Sequence, residues 1–524
     1  MAWPFPWGAS LGLAPGQPTG WLQLLALALL AGQLDGARSW QRGAWLGGLF
    51  ATAMLCATFW WLFISMHVYG GLAAPLTVLA IVLLAAFLGL YYAVACGLFV
   101  LLAPVQLAGR ALVFAALWLL AELARVQFFT GFPWGEGGYA HVDGWARPLA
   151  AWVGVHGLSF LAAFAAAWLA FSLLAPRTRW LAALGAVALS AAVAWLPVAA
   201  DVEADPALAA PLSVTLLQGN IPQDEKFESG TGVLTALRWY GEQLQRAQSA
   251  LVVAPETALP LLPQQLPEGY GEALQARFAS GRQAALIGLP LGSFEAGYSN
   301  SVIGLKPLSA GAPPSASLAP PAPYRYDKHH LVPFGEIIPP GFHWFISLMN
   351  IPLGDFNRGA VGQASFDWQG QRLAPNICYE DLFGEELGVR FLDPARAPTV
   401  FVNVSNIGWF GDTVAIDQHL QISRMRALEF SRPMIRATNT GATVIIDHRG
   451  RVTASLPRYT RGALVGEVLG RSRITPYAWW VSRFGLWPLW ALGLAVAGLA
   501  LAARRRQARQ AGVAPPLRPS RRVK

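Results

Sequence analysis

Long apolar segments constrain this chain more than any other feature. A segment of about 20 mainly apolar residues is long enough to cross a bilayer as a helix. Such segments lie near residues 20–36, 43–65, 73–101, 109–126, 157–175, 180–199 and 484–503. Residues 1–14 are also apolar, but Pro4 and Pro6 interrupt them, so we expect a short or re-entrant helix there. The sequence therefore predicts a polytopic α-helical membrane bundle.

The charges are distributed unevenly along the chain. Only 13% of the residues are charged, and residues 1–199 contain seven Arg, no Lys and four acidic residues. The polar segment at 200–475 carries most of the remaining charge, and eight basic residues with no acidic ones follow in the tail at 504–524. We interpret these ranges as an N-terminal transmembrane bundle (1–199), a water-facing domain (200–475), a C-terminal transmembrane helix (476–503) and a basic tail (504–524). The net charge of +9 reflects that tail and does not indicate a nucleic-acid partner.

The arginines between the spans predict the orientation. Arginines occur after the first span (Arg38 and Arg42), after the third (Arg110), after the fifth (Arg177 and Arg179) and after the last, so every second loop is basic. Basic loops stay in the cytoplasm. The domain at 200–475 is therefore expected outside, in the periplasm of a bacterium with two membranes, and the chain is expected in the inner membrane. No Lys or Arg precedes Arg38, so we do not expect a signal peptide.

The polar segment has the pattern of a layered α/β domain. Helices are predicted at Val233–Ala250, Asp381–Val389 and Ile416–Phe430. Strands are predicted at Ser213–Leu217, Ala250–Val253, Ala284–Leu289, Tyr298–Leu305, Leu373–Ile377, Val400–Val404, Met434–Ala437, Thr443–Ile446 and Ala463–Val468. This alternation favours sheets that are covered by helices. Residues 309–323 are rich in Ala, Pro and Ser and are interpreted as a surface loop.

Two polar residues of this domain lie in signatures typical of strand ends and suit catalysis. Glu256 comes directly after a predicted strand, where we expect its carboxylate to be exposed at the edge of the sheet. Lys328 is one of only four lysines against thirty-four arginines, and Arg cannot replace a Lys that acts as a compact donor. The adjacent His329 and His330 are interpreted as structural, because neighbouring side chains point apart. We expect no metal site.

Cys378 is the third candidate. The chain has three cysteines, and Cys56 and Cys96 lie within apolar segments, so no disulfide framework is expected. Cys378 lies between a predicted strand and a predicted helix, and the acidic residues that follow it argue against burial. A helix N-terminus and nearby cations lower the pKa of such a thiol. We therefore expect a reactive cysteine rather than an inert packing residue.

The order Glu256, Lys328, Cys378 with these local sequences resembles the carbon–nitrogen hydrolase (nitrilase) superfamily. Together with the apolar bundle it resembles the apolipoprotein N-acyltransferases, and the resemblance covers nearly the whole chain. The motifs that carry it are Gly131–Trp134, Leu217–Gln223, Val332–Glu336, Ser405–Gly411, Arg424–Glu429 and Thr438–Gly441. The fold that the resemblance implies is a membrane bundle joined to an αββα sandwich.

The resemblance also implies a two-step reaction without a cofactor. Cys378 would accept an acyl chain from a phospholipid as a thioester, and the α-amino group of a lipoprotein's diacylglyceryl-cysteine would then attack it. Glu256 would act as general base and Lys328 would stabilise the oxyanion, while Glu336, Tyr379 and Glu380 would support the site. One departure concerns Phe227, where members of the family often have Trp.

Two other functions remain open from the residues alone. A membrane-tethered amidase would use the same three residues with water as acceptor. A transporter with an inert nitrilase-like domain would need ionisable residues in its spans, and Glu122 and Arg125 are the candidates, although they would also suit an ion pair. The aromatic segment 339–356 is further expected to form an arm at the membrane surface that guides acyl chains.

Overall fold

The computed structural model describes residues 13–174, 210–293, 295–307, 323–339 and 356–510, together with isolated positions near these ranges. Residues 1–14 and 180–199 and the segments 309–323 and 339–356, for which the sequence makes predictions, lie almost wholly outside the described residues. Within the described part, the helices are α1 Gly20–Asp35, α2 Trp40–Phe59, α3 Ala74–Leu102, α4 Leu107–Gln127, α5 Ala150–Leu174, α6 Gly232–Arg246, α7 Tyr270–Ala279, α8 Gly384–Gly388, α9 Val414–Phe430, α10 Pro476–Phe484 and α11 Trp487–Gln510.

Four of the described helices are long and apolar enough to cross a membrane, namely α3, α4, α5 with the turn that precedes it, and α11. The apolar helix α1 is shorter, with 16 residues. Helix α2 ends at Phe59, and a π-helical turn at Ile64–Tyr69 follows it, so the predicted span at 43–65 is not one continuous α-helix. The helices pack through small and aromatic side chains into a bundle, as the apolar segments predicted.

Contacts at the two ends of the bundle show which end faces the polar domain. At one end Asp35, the last residue of α1, forms an ion pair with Arg110 at the start of α4. At the other end the segment before α1 touches the polar domain, where Gln421 donates a hydrogen bond to the carbonyl oxygen of Gly16 at 3.0 Å. The α4–α5 loop also lies on this second face. The arginine-bearing α1–α2 loop is therefore on the face away from the polar domain.

The polar domain contains two six-stranded sheets. One sheet consists of β1 Leu212–Gln218, β2 Leu251–Val253, β3 Ala284–Ser293, β4 Gly297–Leu305, β5 Tyr324–Asp327 and β12 Gly462–Val468, in the order β12-β1-β2-β3-β4-β5. The other consists of β6 Phe366–Trp368, β7 Gln371–Ile377, β8 Val400–Ser405, β9 Met434–Thr438, β10 Val444–Ile446 and β11 Val452–Ser455, in the order β11-β10-β9-β8-β7-β6. Strands β1, β2 and β3 are parallel in the first sheet, and β7, β8 and β9 are parallel in the second.

The two sheets pack face to face and helices cover both outer faces. The inner core joins the sheets through residues such as Leu216 and Val253 from one and Val402 and Ile435 from the other. Helices α6 and α7 cover the outer face of the first sheet. Helices α8, α9 and α10 cover the outer face of the second. This arrangement confirms the expected αββα sandwich.

The bundle and the sandwich share one hydrophobic core. Helix α5 is interrupted at Gly154, whose φ is 68°, and a Cβ atom there would lie 2.2 Å from the ring of Tyr477. The indole N–H groups of Trp61 and Trp134 both donate to the amide oxygen of Gln418, at 3.0 and 2.7 Å. Buried and specific contacts therefore fix the polar domain on the bundle.

Candidate active site

Glu256, Lys328 and Cys378 follow the carboxyl ends of β2, β5 and β7. In parallel arrangements these ends meet at one edge of a sheet, and the facing sheets bring the two edges together. The three residues are distant in sequence but interact electrostatically in the structure. The fold therefore brings the three candidate residues of the sequence into one cluster.

Glu256 is held in a single orientation by donors on both oxygens. Its Oε1 accepts from the Asn300 side chain at 2.7 Å and lies 3.3 Å from the ammonium of Lys328. Its Oε2 accepts from the backbone N–H of Asn406 at 2.8 Å. Burial raises the pKa of the Glu256 carboxyl, but the ammonium groups of Lys328 and Lys226 outweigh this and hold the pKa below its ordinary value. The expectation of an exposed carboxylate was wrong, because Glu256 is only 7% exposed.

Lys328 lies between two carboxylates. Its Nζ donates to Glu336 Oε1 at 2.8 Å as well as to Glu256. Burial lowers the pKa of the Lys328 ammonium, but Glu256 and Glu336 raise it well above its ordinary value. Asn300 donates to both carboxylates, at 2.7 and 2.8 Å, and so ties them together. The second oxygen of Glu336 accepts from the backbone N–H of Val332 at 2.9 Å. This bond anchors the Lys328–Glu336 loop.

Cys378 lies in a sharp turn between β7 and a 3₁₀ helix, Cys378–Leu382. Its φ is 52°, a left-handed value that residues other than glycine seldom adopt, so the chain turns sharply at the residue that carries the thiol. Burial and the negative charge of Glu256 raise the pKa of the Cys378 thiol to about 12, against the opposing effect of Lys328. The expectation of a lowered pKa was therefore wrong. The thiol is protonated at neutral pH and needs a base to take its proton.

The two acidic residues that come soon after Cys378, Glu380 and Asp381, are themselves buried, whereas Cys378 is half-buried. Glu380 joins the Cys378 turn to the Lys328 loop. Its Oε2 accepts from the backbone N–H of Ile377 at 2.6 Å and from the hydroxyl of Tyr326 at 2.8 Å. Its Oε1 accepts from the backbone N–H groups of His329 and His330, at 2.6 and 3.3 Å. These four donors stabilise the buried carboxylate.

A second polar network, formed by His419, Asp381 and Arg436, supports the turn at Cys378. The Nε2 of His419 lies 3.2 Å from the carbonyl oxygen of Cys378 and 3.0 Å from Asp381. Arg436 donates to Nδ1 of His419 at 2.7 Å. Because an arginine only donates, Nδ1 must accept and Nε2 carries the proton. Burial and the charge of Arg436 lower the pKa of His419, which keeps the imidazole neutral.

The bundle contributes directly to the site. Tyr379 donates from its hydroxyl to the carbonyl oxygen of Gly131 at 3.1 Å, within the Gly-Phe-Pro-Trp motif of the α4–α5 loop. His330 bridges the carboxylate of Glu386 and the carbonyl oxygen of Thr130, each at 2.9 Å. The loops that carry Cys378 and Lys328 therefore both rest on the bundle.

Glu122 and Arg125 hold the same loop in place. Glu122 accepts from the backbone N–H of Gly137 at 3.1 Å, and Arg125 donates to the carbonyl oxygen of Pro133 at 3.3 Å. Their side chains form no ion pair with each other within the described residues. These contacts give the two ionisable residues a structural role in the α4–α5 loop.

Sequence reasoning missed Lys226 and the asparagines around Glu256. Lys226 is 2% exposed and donates to the backbone carbonyl of Glu256. The scarcity that identified Lys328 applies equally to Lys226 and provided a signal. A further network links three of the motifs at Gln223, Asn406 and Asn439 and fixes the backbone donor of Asn406. Phe227 is 46% exposed, beside the ammonium of Lys226.

Comparison with known proteins matches both parts of the chain. Residues 8–168 match the family model of the apolipoprotein N-acyltransferase N-terminal domain, and residues 213–477 match that of the carbon–nitrogen hydrolases. The apolipoprotein N-acyltransferase of Verminephrobacter eiseniae is 58% identical over 93% of this chain and 94% of its own length. The chain belongs to the apolipoprotein N-acyltransferase family.

Further relatives of the same name extend the similarity. The apolipoprotein N-acyltransferase of Ralstonia nicotianae is 45% identical over 93% of this chain and 90% of its own length. That of Bordetella bronchiseptica is 42% identical over 96% of each chain. This member of the family is a membrane-associated acyltransferase of lipoprotein maturation, and its substrate is a lipoprotein.

Proposed function

We propose that this N-acyltransferase works through a thioester on Cys378, with Glu256 as general base, Lys328 as oxyanion donor and a membrane phospholipid as acyl donor. The observation that carries the proposal is the hydrogen-bonded set of Glu256, Lys328, Glu336 and Asn300 beside a thiol presented on a left-handed turn. Such a set supplies a base, a nucleophile and a cationic donor in one place.

In the first step the sulfur of Cys378 attacks the ester carbonyl of the phospholipid while the thiol proton passes to Glu256. The C–S bond forms and the carbonyl oxygen becomes an oxyanion. Collapse of this intermediate breaks the ester C–O bond, and Glu256 returns the proton to the departing lysophospholipid oxygen. The product is a neutral thioester, and Glu256 is again a carboxylate.

In the second step the α-amino nitrogen of the lipoprotein's diacylglyceryl-cysteine attacks the thioester carbonyl. Glu256 takes a proton from the nitrogen, the C–N bond forms and the C–S bond breaks. The leaving sulfur of Cys378 recovers that proton and the thiol is restored. Glu256 therefore shuttles one proton in each half-reaction, and its three hydrogen-bond donors and its cationic neighbours keep it anionic between them.

Lys328 suits the oxyanion role because one of its N–H groups is not used by the two neighbouring carboxylates. An ammonium has three N–H groups. Within the described residues, Lys328 donates to two oxygens, Glu256 Oε1 and Glu336 Oε1. The third N–H is available for the oxyanion, whose stabilisation by one such donor is worth about 2.7–4 kcal/mol. Glu336, Tyr379 and Glu380 support the site by fixing the loops that carry Lys328 and Cys378.

The proposal includes the placement in the cell. The bundle at 1–199 and the helix at 476–503 anchor the chain in the inner membrane, the domain at 200–475 lies in the periplasm, and the tail at 504–524 lies in the cytoplasm. The arginines of the α1–α2 loop, on the face away from the domain, support this orientation.

The decisive experiment compares three proteins: the wild type, Cys378→Ala and the control Cys56→Ala. Each is incubated with a phospholipid that carries a labelled acyl chain, and then with a peptide that begins with diacylglyceryl-cysteine. We expect the wild type and Cys56→Ala to form a labelled enzyme and to pass the label to the peptide. We expect Cys378→Ala to do neither. Transfer by Cys378→Ala would contradict the proposal.

A further inference from the structure

Lys226 is a buried cation outside the set of residues assigned to the reaction so far. It follows the Leu217–Gln223 motif and precedes the exposed Phe227. Its side chain is fully enclosed, with the residue 2% exposed. Burying an ammonium is costly unless it is paired and hydrogen-bonded. The partners of Lys226 therefore indicate what the residue does.

Both hydrogen-bond partners of Lys226 belong to the turn that presents Glu256. Its Nζ donates to the backbone carbonyl oxygen of Glu256 at 3.2 Å and to the hydroxyl oxygen of Thr257 at 2.7 Å. Thr257 has a φ of 46°, a strained value for a β-branched residue. The ammonium of Lys226 therefore binds this turn at a residue with a left-handed backbone conformation.

Strand β3 also lies close to the same turn. A Cβ atom at Gly288 would lie 2.3 Å from the carbonyl oxygen of Pro255 and 2.8 Å from the Cα of Glu256. Only a glycine allows the strand to approach so closely. Lys226 and Gly288 therefore both confine the Glu256 turn, and loss of the Lys226 contacts removes one of these two constraints.

The charges around Glu256 give Lys226 a second effect. Lys328 and Lys226 face the carboxylate as cations, and the Cys378 thiol and Glu336 are the other titratable groups near it. Burial lowers the pKa of Lys226 to about 8, although Glu256 and Cys378 both oppose this. The positive charge of Lys226 lowers the pKa of Glu256 and thereby favours its carboxylate.

We propose that Lys226 is a positioning residue that clamps the Glu256–Thr257 turn and so fixes the orientation of the general base. This inference rests on the proposed function, because it takes Glu256 to be that base. Lys226 itself does not touch the reacting atoms. It acts through Glu256 in both half-reactions.

The test measures acyl-enzyme formation from a labelled phospholipid, as a function of pH, for Lys226→Met. The hydrogen bonds and the charge are lost together, so we expect the rate at neutral pH to fall by about tenfold or more. We also expect the acidic limb of the profile to move to higher pH, because Glu256 loses one of the two cations that lower its pKa. The control is Lys306→Met, which removes a lysine whose ammonium donates to the carbonyl oxygen of Asp367 at the domain surface and should leave the profile unchanged.

The outcomes separate positioning from mere stability and from failure of the base assignment. A normal rate in Lys226→Met overturns the inference, and so does a slower rate with an unmoved acidic limb and a lower melting temperature. If Lys226→Met does not fold, Thr257→Ala removes one acceptor of the clamp, and we expect a smaller loss of rate. An unchanged rate in Thr257→Ala then overturns the inference. Glu256→Gln is measured alongside, and if it still forms the acyl-enzyme, the proposed function itself has failed.

Discussion

Replacing Glu380 with Gln alters the hydrogen bonds that join the loop carrying Cys378 to the loop carrying Lys328. In the wild type, Oε2 accepts from Ile377 and Tyr326, and Oε1 accepts from His329 and His330. A glutamine has nearly the same shape, but it presents one oxygen and one NH₂ group. Whichever way the amide turns, its NH₂ group faces at least one backbone N–H.

The structure indicates which orientation costs less. If the NH₂ group faces Ile377 and Tyr326, the tyrosine hydroxyl can rotate and accept, and one buried N–H is left without a partner. If it faces His329 and His330, two N–H groups lose their acceptor. One unsatisfied buried donor costs about 1–3 kcal/mol. We therefore expect Glu380→Gln to lower the free energy of unfolding by about 1–3 kcal/mol.

The assay has two parts. Thermal unfolding in detergent measures the loss of stability, at about 2–4 °C per kcal/mol for a domain of this size. The rate of acyl-enzyme formation, measured well below the melting temperature, reports the alignment of Cys378 with Lys328. We expect this rate to fall, because the two loops lose their common anchor.

The control is Glu242→Gln on helix α6. Glu242 forms exposed ion pairs with Arg238 and Arg246, and such pairs contribute at most about 1 kcal/mol. Its glutamine variant should therefore behave almost as the wild type. If Glu380→Gln also matched the wild type in stability and in acylation rate, the argument that Glu380 joins the two loops would be refuted.

Three further predictions follow from the same geometry. Lys328→Arg should lose most of the acylation rate, by a factor of about 10²–10³, because a planar guanidinium does not fit where a compact donor is buried between two carboxylates; near-normal turnover would exclude the oxyanion role. The acylation rate should not change between about pH 6 and pH 7.5. In this range Glu256 is anionic, because its pKa lies below the ordinary value, and Cys378 is protonated, because its pKa is raised to about 12. A tenfold rise in rate per pH unit would instead indicate attack by a free thiolate. A reporter that is active only in the periplasm should work after Gly311 and fail after Lys524, and the reverse pattern would invert the proposed topology.

The pattern of apolar and polar residues along the chain was sufficient to predict the architecture. Nine strands of the sandwich were predicted because their apolar runs are buried in the core, as at Val252 and Val402. The strands β5, β6 and β11 were missed, since they are only 3–4 residues long and carry polar or exposed residues, such as Asp327 and Thr453. The predicted helix at Asp381–Val389 is instead a 3₁₀ turn followed by the short helix α8.

The candidate site was predictable in its residue types but not in its electrostatics. Glu256 and Cys378 follow strands that the sequence predicts, and Lys328 stood out because lysine is so scarce in the chain. The raised pKa of Cys378 could not be predicted, because it depends on burial and on charges that are distant in sequence. The scarcity of lysine also marks Lys226, but its contact with the Glu256 turn is not visible in the sequence, because only the fold brings the two together.

The most direct test of the mechanism is the mass of the peptide that contains Cys378 after the purified enzyme has been incubated with phospholipid and without acceptor. The thioester mechanism requires that this peptide gain the mass of one acyl chain and lose it on treatment with hydroxylamine. Peptides that contain Cys56 and Cys96 should remain unmodified. An enzyme that transfers acyl chains while the Cys378 peptide never carries one, or carries it equally on another residue, would contradict the assignment of Cys378 as the nucleophile.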